Sequence, residues 1–140
     1  MRNINGYDLS RAWFDWCFEN PERISPNEIQ SCKERKSGSY IKGGFYMIKN
    51  TINGKIYVGK SMNYLARLKE HQYPSNNKSL IDIDINNKNM KFEYFLLAKY
   101  KDLGINFFNR KLESIIEHRF ITIAGSTHPD GYNRRHYGHL

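Results

Sequence analysis

The stretch GGFYMIKNTINGKIYVGKS, residues 43–61, commits this chain to an antiparallel hairpin. Two runs rich in aromatic and β-branched residues, GFYMIKN (44–50) and KIYVGKS (55–61), flank TING. Its Asn53-Gly54 pair supplies the positive-φ backbone that a tight turn requires. Side chains on such a ladder alternate between faces, and opposed residues are near neighbours. The pairing therefore allows Tyr46, in the first strand, and Tyr57, in the second, to point to one end of one sheet face. Tyrosine is also simply a good strand former, so the pair alone speaks for structure before chemistry.

Helical patterns surround the hairpin. DLSRAWFDWCFEN (8–20) brings Leu9, Ala12, Trp13, Trp16 and Cys17 to one face, with Asp8 as cap and Asn20-Pro21 as stop. The next segment mixes Pro, Ser, Gly and charge and reads as a connector with one short helix at 26–35. About 40 residues cannot bury a core alone, so this N-terminal part must dock on the rest. After the hairpin, MNYLARLKEH forms a helix capped by Asn63, with Leu65 and Leu68 inward and Arg67 and His71 sharing another face. SLIDIDINNKN fits two readings: the Ile81/Ile83/Ile85 alternation says strand, while its length and Asn-rich stop allow a short helix. KFEYFLLAKY (91–100) is a third strand. NRKLESIIEHRFITIA (109–124) is an amphipathic helix with Leu112, Ile115, Ile116, Phe120 and Ile123 inward.

Charge narrows the partner. Lys and Arg number 22 against 14 Asp and Glu, a net charge of +8, which favours a polyanion such as nucleic acid. Cys17 and Cys32 lack metal-ligand spacing and read as reduced thiols of a cytoplasmic protein. No signal peptide or membrane-length apolar run occurs, so a soluble protein without a membrane partner is expected. The H-x-x-H of RRHYGHL has no cysteine or acidic complement, and a basic tail is favoured over zinc.

Six separated features in order carry a resemblance: GFY (44–46), YVG (57–59), Arg67, His71, Glu117 and GYN (131–133). Together they resemble the GIY-YIG nuclease family, and the phrase IKNTINGKIYVG is similar to that of phage and intron-homing members. The middle residues of both triplets, Phe45 and Val58, are conservative departures. The resemblance implies an α+β fold with a small, mainly antiparallel three-stranded central sheet flanked by helices. It divides the chain into an N-terminal helical extension and connector, 1–42, and a nuclease domain, 43–140. The activity implied is metal-dependent hydrolysis of phosphodiester bonds in double-stranded DNA. A non-catalytic DNA-binding module and a structure-specific repair or recombination nuclease are the alternatives.

Roles follow the same resemblance. Glu117 would hold Mg²⁺ or Mn²⁺, since one carboxylate with waters and a phosphate oxygen suits a hard octahedral cation. Glu113, one turn earlier, is its competitor, although helix glutamates mostly form solvated faces. Tyr46 would be the general base, yet a phenol with pKa near 10 is a poor one unless cations such as Lys60 and Arg67 bias it. Arg67 would grip a phosphate oxygen, and Tyr57 and His71 would orient water or relay a proton. Gly59 would permit close approach, and Asn133 would support the site through hydrogen bonds. Lys60, Arg67, Lys69, Arg134 and Arg135 are the expected DNA contacts. Some family members carry a further histidine after the Arg/His helix, which YPSNNKSL lacks.

Overall fold

The computed structural model describes residues 3–4, 7–8, 10–33, 42–73, 79–106 and 109–134. Its centre is the expected hairpin, β4 (Gly44–Asn50) paired with β5 (Ile56–Ser61). The turn closes through the Gly54 N–H donating to the Asn50 carbonyl at 2.8 Å, with Gly54 at φ 78°. The Asn50 carboxamide oxygen also accepts from the N–H groups of Ile52 and Asn53. This buried asparagine thus satisfies donors that the turn itself leaves open.

On the other side of β4 runs β6 (Phe92–Lys99), and beyond it β3 (Glu22–Ile24), giving the order β3-β6-β4-β5 with every pair antiparallel. The α+β reading holds, with one strand more than expected. That strand comes from the N-terminal segment, in a stretch the sequence presents as connector. A separate pair, β1 (Asn3–Ile4) and β2 (Tyr7–Asp8), precedes it.

Alternation along the strands makes two cores. Phe45, Met47, Val58 and Leu97 face α1 (Arg11–Glu19) and α5 (Lys111–Ala124), packing on Phe14, Cys17, Ile116, Phe120 and Ile121. Tyr46, Ile48, Tyr94 and Leu96 face the opposite way, toward α2 (Pro26–Gln30), α3 (Tyr64–His71) and α4 (Leu80–Ile85), with Ile29, Leu68 and Ile81. Between Phe45 and Tyr46 the register to β6 shifts: Phe45 pairs with Ala98 and Tyr46 with Leu96. The unpaired Leu97 between them is a β-bulge beside Tyr46. It breaks the alternation so that Leu97 and Ala98 both lie toward the first core, while Leu96 enters the second.

Several helix details differ from expectation. α1 is capped two residues beyond Asp8, with the Ser10 hydroxyl accepting from the Trp13 N–H, and it buries Phe14 and Cys17 while Trp16 is 57% exposed. Burial pushes the Cys17 thiol up to about 12, so it behaves as an apolar core group. The ambiguous segment is helix α4, capped by Ser79. In α5, Ile115 is exposed and Ile121 takes the inward place. No described helix is long and apolar enough to cross a membrane.

Candidate active site

The site lies on the free side of the hairpin, where edge strand β5 meets α3 and α5. Tyr46 sits directly opposite Gly59, and Tyr57 opposite Ile48. The two tyrosines are therefore diagonal neighbours in the middle of the ladder, not at one strand end, with ring centroids 6.2 Å apart. Gly59 is what makes room. A Cβ there would lie 2.4 Å from both Cζ and the hydroxyl oxygen of Tyr46. Phe45 and Val58 point to the other core, so an apolar residue of either shape serves in the middle of each triplet.

Behind the tyrosines stands His71, fully buried at the end of α3. Its Nε2 lies 2.9 Å from the Tyr46 hydroxyl, and its Nδ1 lies 2.5 Å from Asp82 Oδ1. Asp82, in the first turn of α4, is also buried, and nothing in its local sequence pattern singles it out. The Tyr57 ring is edge-on to His71 at 5.4 Å. Burial lowers the His71 pKa, partly offset by the hydrogen bond and charge of Asp82, so the ring is neutral at neutral pH.

Burial raises the Tyr46 pKa well above 10, with Tyr57 and Glu117 adding to the rise and Arg67 opposing it. Tyr57 is raised by burial and then by Glu117, again against Arg67. Both phenols are thus neutral, and Arg67 is the cation that acts on them. Lys60 does not share that task. Its ammonium lies 3.9 Å from Glu113 Oε2 on the α5 side, and its charge falls on Glu117. Arg67 Nη1 meanwhile pairs with Glu70 at 3.2 Å, a contact that an incoming phosphate must share or displace.

Glu113 is no solvated residue: it is buried and accepts from the Tyr100 hydroxyl at 3.2 Å. Glu117, one turn on, makes no hydrogen bond or ion pair among the described residues. Its pKa is raised by burial and by Glu113, with Lys60 pulling it down. A half-buried carboxylate of this kind, with no ion-pair partner among the described residues, fits a divalent cation, whose charge would relieve it. Among the described residues no cluster of three or more His, Cys, Asp or Glu could hold an ion. The cation would therefore rest on Glu117, with water and substrate oxygens completing its shell.

Asn133 closes the open edge of β5. Its carboxamide accepts from the Val58 N–H at 3.0 Å and donates to the Val58 carbonyl at 2.8 Å, as a neighbouring strand would. Ser126 Oγ donates to the same Asn133 oxygen, which fixes the amide's orientation. Lys69 donates to the Cys32 carbonyl at 2.8 Å, and Arg134 is exposed. Arg135, His136 and His139 lie outside the described residues.

An antiparallel sheet whose edge hairpin gathers two tyrosines, an arginine and a histidine beside a lone glutamate is the framework of a nuclease domain. The model of the family described as the GIY-YIG catalytic domain matches residues 42–116, more than half the chain. The chain belongs to this nuclease family. The matched residues include Tyr46, Tyr57, Gly59, Lys60, Arg67, His71 and Asp82, and stop one short of Glu117. No curated protein and no solved structure matches the chain.

Replacing Gly59 with alanine tests the fit of Tyr46 directly. The added methyl must displace the ring or the strand, and overpacking of this kind costs about 1–3 kcal/mol. Gly59→Ala is expected to lower both the denaturation midpoint and the cleavage rate. An alanine variant with unchanged midpoint and rate would mean that Tyr46 moves freely.

Proposed function

We propose that the chain is a divalent-metal-dependent DNA endonuclease hydrolysing phosphodiester bonds, with Tyr46, Tyr57, Arg67, His71 and Glu117 as its catalytic group. Residues 43–140 carry the chemistry, and residues 1–42 are an extension that completes the sheet. The observation that carries the reading is the chain of contacts from His71 through Tyr46 to Tyr57, with Arg67 and Glu117 acting electrostatically on both phenols.

Because Tyr46 is neutral, it works as a base only if its own proton leaves as it takes one from water. The His71 Nε2 is the acceptor within reach. Tyr46 thus takes the proton of the attacking water and hands its phenolic proton to His71. Arg67 neutralises a non-bridging phosphate oxygen, with Tyr57 holding the water in line. A divalent ion on Glu117, when bound, supplies charge for the phosphoryl and departing 3′ oxygens. Mg²⁺, with Mn²⁺ as substitute, suits the single hard oxygen ligand.

Incubating the full chain with supercoiled plasmid tests this reading. Mg²⁺ is expected to give nicked or linear DNA, and EDTA to abolish it. Plasmid that is bound but never cut, with either metal, would favour the binding-module reading on the same scaffold.

A further inference from the structure

We propose that Asp82 is the positioning residue that holds His71 in its Nδ1–H tautomer and thereby keeps Nε2 the acceptor for the Tyr46 proton. The inference rests on the nuclease reading above and extends it to a residue on a different helix.

The argument begins with tautomers. A neutral imidazole has one N–H and one lone pair, and which nitrogen carries the hydrogen is set by the partner of the other. His71 is fully buried, so no water competes for either nitrogen. The Asp82 carboxylate is an acceptor only, and it lies against Nδ1. The hydrogen must therefore reside on Nδ1, which leaves the lone pair on Nε2, 2.9 Å from the Tyr46 hydroxyl. In the opposite tautomer Nε2–H would donate to Tyr46, and the phenolic proton could turn only to the Tyr57 hydroxyl, a neutral phenol and a far weaker base than imidazole.

Asp82 is itself held in place. Its backbone N–H donates to the Ser79 cap, and its carbonyl accepts from the Asn86 carboxamide at 2.8 Å. As the imidazole takes up a proton, the same carboxylate faces the new positive charge. The other groups around the ring are Tyr46 on β4, Tyr57 on β5, and Arg67 and Glu70 on α3. Arg67 disfavours the imidazolium, whereas Asp82 and Glu70 favour it. The bland alternative is that Asp82 only pins α4 to α3.

Asp82→Asn separates the two. Asparagine keeps the size but offers a donor as well as an acceptor, so it no longer dictates the tautomer. The single-turnover rate should fall about a hundredfold, the lower end of general acid–base effects, with DNA affinity unchanged. The acid limb of its pH profile should also move to lower pH, because a group favouring His71 protonation has been lost. A structural pin whose loss leaves His71 in place would shift that limb without the hundredfold fall in the plateau rate. The ¹⁵N shifts of His71 in the labelled wild-type chain give a readout independent of cleavage and of the variant's folding. They should report protonated Nδ1 and unprotonated Nε2 at neutral pH.

An Nε2–H tautomer in the wild type overturns the proposal. So does an Asp82→Asn variant with the wild-type plateau rate, where the wild-type chain cuts DNA. A wild-type chain that cuts nothing sinks the nuclease reading first, and the catalytic role of Asp82 with it.

Discussion

Glu117→Gln is expected to abolish cleavage while making the metal-free protein slightly more stable. Glutamine keeps the shape and removes the charge. In the fold the Glu117 pKa is raised above its ordinary 4.5 by burial and Glu113. As pH climbs through 4.5 the unfolded chain gives up its proton first, so the ionised carboxylate opposes folding at neutral pH. The stability gain of the variant should therefore appear at pH 7 and shrink as the pH falls toward 4.5. Mg²⁺ reverses the comparison: wild type is stabilised by binding it, by an amount that grows with concentration, and the variant is not. Thermal unfolding of both proteins with and without Mg²⁺, beside plasmid cleavage and DNA binding, checks each part. An inactive variant that still gains stability from Mg²⁺ as wild type does would move the ligand elsewhere, with Glu113 the next to test. That outcome would need Glu113 to leave Tyr100 and Lys60.

The hairpin was legible because two strand-forming runs and an Asn-Gly turn agree at one place. Arg67 and His71 were legible because four-residue spacing survives on any helix. Asp82 was not, because Ile81, Ile83 and Ile85 imitate a strand. In the six-residue helix only Ile81 is fully buried, and Ile83 is 47% exposed. A period of two in a short segment cannot distinguish the cases. Strand β3 escaped for a similar reason: of Glu22, Arg23 and Ile24, only Ile24 is buried. Its place in the sheet is set by pairing with β6, a contact that leaves no local pattern. The hydrogen-bond partner of the buried Glu113 is likewise remote in sequence, Tyr100, thirteen residues away and outside the helix that carries Glu113.

Tyr46→Phe is expected to slow cleavage by about a hundredfold or more, the usual loss when a general base is removed. Ring packing over Gly59 survives the change, but the hydroxyl does not come away without effect. It supplies the hydrogen bond to His71 Nε2, and a buried acceptor left unpaired costs about 1–3 kcal/mol. A measurable drop in stability should thus accompany the loss of rate, while Mg²⁺ binding, which rests on Glu117, stays near normal. Tyr57→Phe should cost less in both respects, since Tyr57 meets His71 through its ring edge. Raising the pH should partly restore the Tyr46 variant, because free hydroxide replaces the water that a base must activate. Single-turnover cleavage of a labelled duplex across pH, for both variants and beside their denaturation midpoints, decides the matter. A deeper loss in Tyr57→Phe would exchange the two roles. Equal and mild losses would leave activation of the water to the metal alone, with the tyrosines serving to position it.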